Sequence, residues 1–121
     1  MRTANLTGAI LDWHTARAEG APAADLELRA NGTLCVRYLR GDWGPTVAVQ
    51  VLDYSTNWAL TGPLVEKLPG VRIQQNPDRF AVQFFAQPSI PCYGYGDTPL
   101  IAICRAVVRA AFGDEVEDLP C

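Results

Sequence analysis

The sequence predicts an α+β fold: a two-layer domain with a mainly antiparallel sheet of four to five strands. A central C-terminal helix, an N-terminal helix and a short middle helix complete it. Three observations predict this. Residues 100–112 form a helix that is apolar nearly all round, the signature of a central element. Residues 25–39 and 71–86 each read as a hairpin. Every visible strand connection is local, which favours antiparallel pairing.

Taken in order, residues 1–4 read as frayed, and Asn5 or Thr7 starts a first helix that runs to about Glu19 and stops at Gly20. Leu6, Ile10, Trp13 and Arg17 share a stripe, with Asp12, Thr15 and Glu19 turned away from it. Trp13 is the expected anchor, because an indole buries more area than its neighbours. In the first hairpin, a two-residue Asn31-Gly32 turn would mix polar and apolar residues on both faces. A three-residue loop, Ala30-Asn31-Gly32, instead pairs Leu28 with Leu34, Leu26 with Val36 and Asp25 with Arg37. Gly32 then takes the left-handed position of the bulged turn.

Gly41-Asp42-Trp43-Gly44-Pro45 reads as a turn with an exposed Trp, and residues 47–52 as a third strand. Thr61 is the expected cap of a short helix from Gly62 or Pro63 to Leu68, closed by Pro69-Gly70. In the second hairpin, a four-residue loop over residues 76–79 pairs Ile73 with Val82 and Val71 with Phe84. Residues 87–92 read as an extended linker into Tyr93-Gly94-Tyr95-Gly96, a glycine-hinged aromatic loop. Asp97 or Thr98 caps the last helix, Pro99 suits its first turn and Gly113 ends it. On that helix only Arg105 and Arg109 look wet. Residues 115–121 read as frayed, and the acidic side chains from Asp114 to Asp118 as a solvated tail at the unfavourable pole of the helix dipole.

The chain has 121 residues, enough for one domain spanning 1–121, and 49% are hydrophobic. A net charge of −3 argues against sequence-blind nucleic-acid binding, which needs a basic face. No apolar run reaches the ~20 residues of a membrane span, and no signal peptide is visible, so no membrane partner is expected. Cys35, Cys92, Cys104 and Cys121 lack metal-binding spacing and read as free thiols of a reducing cytoplasm.

Catalytic templates fail. His14 is the only histidine and reads as a surface or boundary residue. Phosphate-binding and zinc motifs are absent, and Gly94-x-Gly96 lacks a third glycine. No catalytic residue, metal or cofactor is therefore assigned. What remains is a binding surface on two aromatic loops: Tyr54, Thr56, Asn57 and Trp58 before Gly62, and Tyr93, Tyr95 and Asp97 before Thr98. Each leads into a helix N-terminus, which presents free N–H groups to an anion or carbonyl. Should the loops meet, they form a tyrosine-walled pocket for a ring. The alternative is that the aromatics cement loops to the sheet and the polar residues cap helices.

Leu6-Thr7-Gly8-Ala9-Ile10-Leu11-Asp12-Trp13 resembles the start of the NinX-like family of small phage and prophage proteins. The resemblance continues through residues 54–67, where Tyr54-Ser55-Thr56-Asn57-Trp58 is followed by Thr61-Gly62-Pro63. It ends at residues 96–106 and 112–116. It draws attention to Asp12, Trp13, Trp58, Gly62, Pro63, Thr98 and Pro99. It implies a phage-encoded accessory or early-region protein acting in the host bacterial cytoplasm, and it lends no catalytic residues. The resulting expectation is a non-catalytic protein-interaction module with a host or phage protein as partner. It is read as a homodimer whose interface uses the acidic tail or Trp43. The alternative is a protein that sequesters a nucleotide-like small molecule on the aromatic loops, and an enzyme ranks third.

Overall fold

The computed structural model describes residues 1–23, 26–30, 34–43 and 46–117, with the backbone alone described for those between 27 and 50. A 3-10 turn (Thr3–Asn5) leads into α1 (Gly8–Ala18). Strands β1 (Leu26–Ala30), β2 (Leu34–Trp43) and β3 (Thr46–Val51) follow, then α2 (Trp58–Glu66). Strands β4 (Arg72–Gln75), β5 (Phe80–Gln87) and β6 (Ile90–Gly96) precede α3 (Pro99–Phe112). The α+β class and the antiparallel pairing hold. The single sheet of four to five strands does not, because the described residues form two three-stranded sheets, ordered β1-β2-β3 and β4-β5-β6. The chain leaves the first sheet after Val51, and Leu52, Tyr54 and Leu60 pack on Ala9 and Ala16 of α1 before β4 begins. That crossing keeps β3 and β4 apart. Two layers also give way, since α3 packs between β5–β6 and α1, and α1 contacts β1 and β2. No helix among the described residues is long and apolar enough to cross a membrane.

The first hairpin keeps the three-residue spacing but slides by one residue on each strand. Leu28 stands opposite Val36, Leu26 opposite Tyr38 and Glu27 opposite Arg37. Moving the connection to residues 31–33 lets Ala30 and Leu34 form a further ladder pair. Asp25 and the expected turn residues Asn31 and Gly32 lie outside the described residues. The predicted turn at 41–45 is mostly strand: β2 continues to Trp43 past a bulge and pairs with β3 through Trp43 and Thr46. Gly44 and Pro45 are outside the description, as is the Trp43 side chain.

The second hairpin has the predicted register, Ile73 opposite Val82, across a four-residue loop with Asn76 N donating to Arg79 O at 2.8 Å. Val82 and Phe84 are buried with Ala102, Ile103, Ala106 and Val107. The predicted linker 87–92 and the aromatic loop after it are instead strand β6. Gln87 pairs with Ile90 across Pro88 and Ser89, and Ser89 takes φ +68°. Proline fixes the first turn position, and the edge place of β6 tolerates Pro91. Gly94 and Gly96 read as hinges, but here they are clearances. A Cβ on Gly94 would lie 2.5 Å from Ala106 N and 2.7 Å from Ala106 Cβ. One on Gly96 would lie 2.6 Å from Ile101 Cγ2 and 2.9 Å from Ala102 N. Two absent side chains let α3 lie directly on β6.

Helix α3 has the predicted bounds. Thr98 Oγ1 accepts from Ile101 N at 3.2 Å, Pro99 occupies the first turn and Gly113 closes the helix at φ +88°. Phe112, in its last turn, is 43% exposed. Cys104 is fully buried, and burial pushes its thiol pKa up to about 12. Helix α2 begins earlier than predicted. Asn57, not Thr61, caps it by accepting from Ala59 N at 2.9 Å. Thr61 lies inside the helix and donates to Tyr54 O, and Pro63 is internal.

Helix α1 departs furthest from expectation. Its buried residues include Leu11, Asp12, His14, Thr15 and Ala16, while Trp13 is only half-buried. A helix contacting α3 and the first sheet has little wet surface, so its polar side chains must find partners inside. Asp12 Oδ1 accepts from Ser55 N at 2.7 Å and Thr15 Oγ1 donates to Leu11 O at 2.8 Å. Burial raises the Asp12 pKa, opposed by the Ser55 hydrogen bond.

His14, predicted at the surface, is 4% exposed, and its Nε2 has no hydrogen-bond partner among the described residues. Burial lowers its pKa below the ordinary 6.5. The unfolded chain takes up this proton near pH 6.5 and the folded chain resists it, so stability present above that pH is lost as pH falls toward the folded value. The expected result is a stability slope below about pH 6.5 that His14→Leu flattens. Urea melts of both proteins across that range check it. Equal slopes in the two proteins would overturn it.

The two ends are tied rather than frayed. Met1 N donates to Val116 O, Val116 N to Met1 O and Thr3 N to Asp114 O, all within 2.8–2.9 Å. Thr3 Oγ1 donates to Gly113 O at 2.7 Å, and Val116 packs with Leu6 and Val108. Asp114 pairs with Arg109 at 2.7 Å. The expected solvated tail is thus held as far as Val116, and residues 118–121 lie outside the description.

Candidate functional site

Strand β6 is the edge of its sheet, so one side of its backbone meets no strand among the described residues. Gly94 and Gly96 face α3, and strand alternation turns Tyr93 and Tyr95 to the opposite face. The two edge carbonyls are taken by α3. Arg105 Nη1 donates to Tyr95 O at 2.8 Å and Arg109 Nη1 to Tyr93 O at 3.4 Å. Arg105 Nε also donates to Leu6 O at 2.9 Å, joining α3, β6 and the N-terminal segment. Burial lowers the Arg105 pKa, and nearby Asp97 offsets part of that shift.

Around this junction opens a cleft of about 530 Å³. Residues 2–5 form one wall and residues 93–97 the other, with Arg79, Arg105, Arg109 and Asp114 completing the lining. Four arginines face two aspartates, a positive site on a chain whose net charge is −3. Arg109 is engaged by Asp114 and Arg105 by two carbonyls. The Arg79 guanidinium lies 4.0 Å from the centroid of the Tyr95 ring. Among the described residues, no carboxylate or hydrogen bond engages the guanidinium of Arg2 or of Arg79. The Tyr93 and Tyr95 rings are parallel within 5°, with centroids 6.5 Å apart.

Neither a protein-family model nor a curated protein matches this chain. The site therefore rests on its own geometry.

Of the residues expected at a site, the structure brings Tyr93, Tyr95 and Asp97 into the cleft and leaves Thr98 as a cap at its edge. Tyr54, Thr56, Asn57, Trp58 and Gly62 do not line it. Tyr54 is half-buried between α1 and α3, and burial raises its phenol pKa. Asn57 spends its side chain on Ala59 N and on Asp53 Oδ1. Thr56 N donates to Asp53 O at 3.0 Å. That loop is built as a helix cap, and Trp58 on α2 is 52% exposed. Sequence reasoning missed the four arginines. One signal was available: Arg105 and Arg109, four apart, are the only charges on an otherwise apolar helix. Arg2 and Arg79 carry no such signal, since only the fold brings them together. Among the described residues no group of three or more His, Cys, Asp or Glu could hold a metal.

Proposed function

We propose that this chain is a non-enzymatic binding protein whose arginine-lined cleft holds a small anionic ligand of the phosphate class. One observation carries the reading: Arg2 and Arg79, two guanidiniums without an anionic partner among the described residues, line a concave site with a net excess of positive charge. A planar guanidinium suits the oxygens of a phosphate, and the cleft volume falls within the ~300–1,000 Å³ usual for ligand sites. The sole histidine is buried in α1 and does not line the cleft, which supports binding over acid–base turnover.

Titration with inorganic pyrophosphate in low salt tests this. A hundredfold excess over the dissociation constant is expected to stabilise the fold by about 2.7 kcal/mol, a rise of several degrees in Tm. The effect should fade in high salt and weaken about tenfold in Arg79→Ala. A flat response to millimolar pyrophosphate at low salt would overturn the proposal.

A second reading is a protein-interaction module, favoured by large apolar side chains left in water: Trp58, Ile90 at 59% and Phe112 at 43% exposure. The phage accessory role implied by the family resemblance belongs to this reading, as do the host or phage partner and the homodimer expected from the sequence.

A further inference from the structure

We infer that the ligand of this cleft carries a planar ring, held between Tyr93 and Tyr95, so that its chemical class is a nucleotide-like phosphate ester. The inference rests on the anion-binding reading above and adds the ring to it. Tyr93 and Tyr95 are two residues apart on one strand, so their side chains leave the same face of the sheet. Parallel rings in direct contact lie about one ring thickness apart, roughly 3.4 Å, as stacked bases do. The centroids lie 6.5 Å apart, about the i to i+2 rise of a strand, so a flat group entering between the two phenols displaces Tyr93 along the edge.

The pair is also held ready. Arg79 precedes Phe80, whose partner is Gly96, so it reaches Tyr95 from the end of β6 away from Tyr93. Its guanidinium over the Tyr95 ring leaves the Tyr93-facing side of that ring for a ligand. Tyr93 is 37% exposed and able to yield. The arrangement along the edge is then cation, ring, ring. A flat group inserted between the two rings places an attached phosphate in the cleft that Arg2 and Arg79 share. Aromatic stacking tolerates many ring types, so the geometry selects flat rings over ringless phosphates without choosing a base.

Calorimetric titration with the four ribonucleoside 5′-monophosphates, ribose 5-phosphate and inorganic phosphate separates the two claims. At least one nucleotide is expected to bind tenfold or more tightly than ribose 5-phosphate. In Tyr93→Leu that ratio should fall to about one while ribose 5-phosphate is bound as before, and Tyr93→Phe should keep it. If ribose 5-phosphate binds and no nucleotide exceeds it tenfold, the ring clamp is wrong and the anion site stands. A ratio that survives in both Tyr93→Leu and Tyr95→Leu likewise overturns the clamp. If no phosphate compound binds, the anion site itself has failed and this inference with it.

Discussion

Replacing Gly94 with alanine should cost this protein about 3 kcal/mol or more and lower its Tm by roughly 10 °C. The added methyl group would enter space already held by Ala106 N and Ala106 Cβ, at 2.5 and 2.7 Å, and by the Ala102 carbonyl. Two of these obstacles are helix backbone, so no side-chain rotation relieves the clash. The helix must lift from β6, and it carries Ala102, Ile103 and Ala106, all fully buried. Lifting it opens the main core cluster, where each lost contact adds to the cost. Gly62→Ala is the matched control, because nothing lies within 4 Å of its added carbon and α2 is helical there. That substitution should be neutral or gain up to about 1 kcal/mol from helix propensity. Thermal melts of both variants decide the matter. Equal effects would mean that the two strand glycines are not clearances for α3.

Arg105→Met is the second large effect, a loss of about 2 kcal/mol with weaker ligand binding. Methionine keeps the apolar stem and removes the bonds to Leu6 O and Tyr95 O. Each charge-assisted bond contributes about 1.5–3 kcal/mol, but removing a half-buried cation returns part of that as relieved desolvation. Arg105→Lys should recover only a fraction, since one ammonium cannot copy a fork aimed at two carbonyls. Urea midpoints rank the three proteins. Hydrogen exchange should show the greatest loosening at residues 2–6 and in β6, the two segments Arg105 joins. Wild-type stability in the methionine variant would show that these carbonyls are satisfied without the arginine.

The elements that could be read in advance are those whose sequence determines them locally. Thr98 and Pro99 cap α3, Gly113 ends it, and the apolar repeat between them needs no partner to be recognised. The second hairpin was legible because one register alone aligned Val82 with Ile73 on an apolar face. Failures occurred where tertiary contact overrides local pattern. Tyr93-Gly94-Tyr95-Gly96 has loop composition and becomes a strand because α3 rewards the missing side chains. Asp12, His14 and Thr15 look like an outer face and are buried because α1 is covered by α3 and the first sheet. Half of the cleft was visible as two tyrosines. The arginines were not, because Arg2, Arg79 and Arg105 are far apart along the chain and become neighbours only when it has folded.

The wall that carries Arg2 is fastened by residues 113–116, at the opposite end of the described chain. During synthesis, then, the receptacle cannot close until residues 113–116 have emerged. The tyrosines and α3 can already be in place while residues 2–5 wait for their anchor to leave the ribosome. A product cut short before Gly113 would retain the aromatic pair and most of the core, yet would have no closed basin to hold a guest.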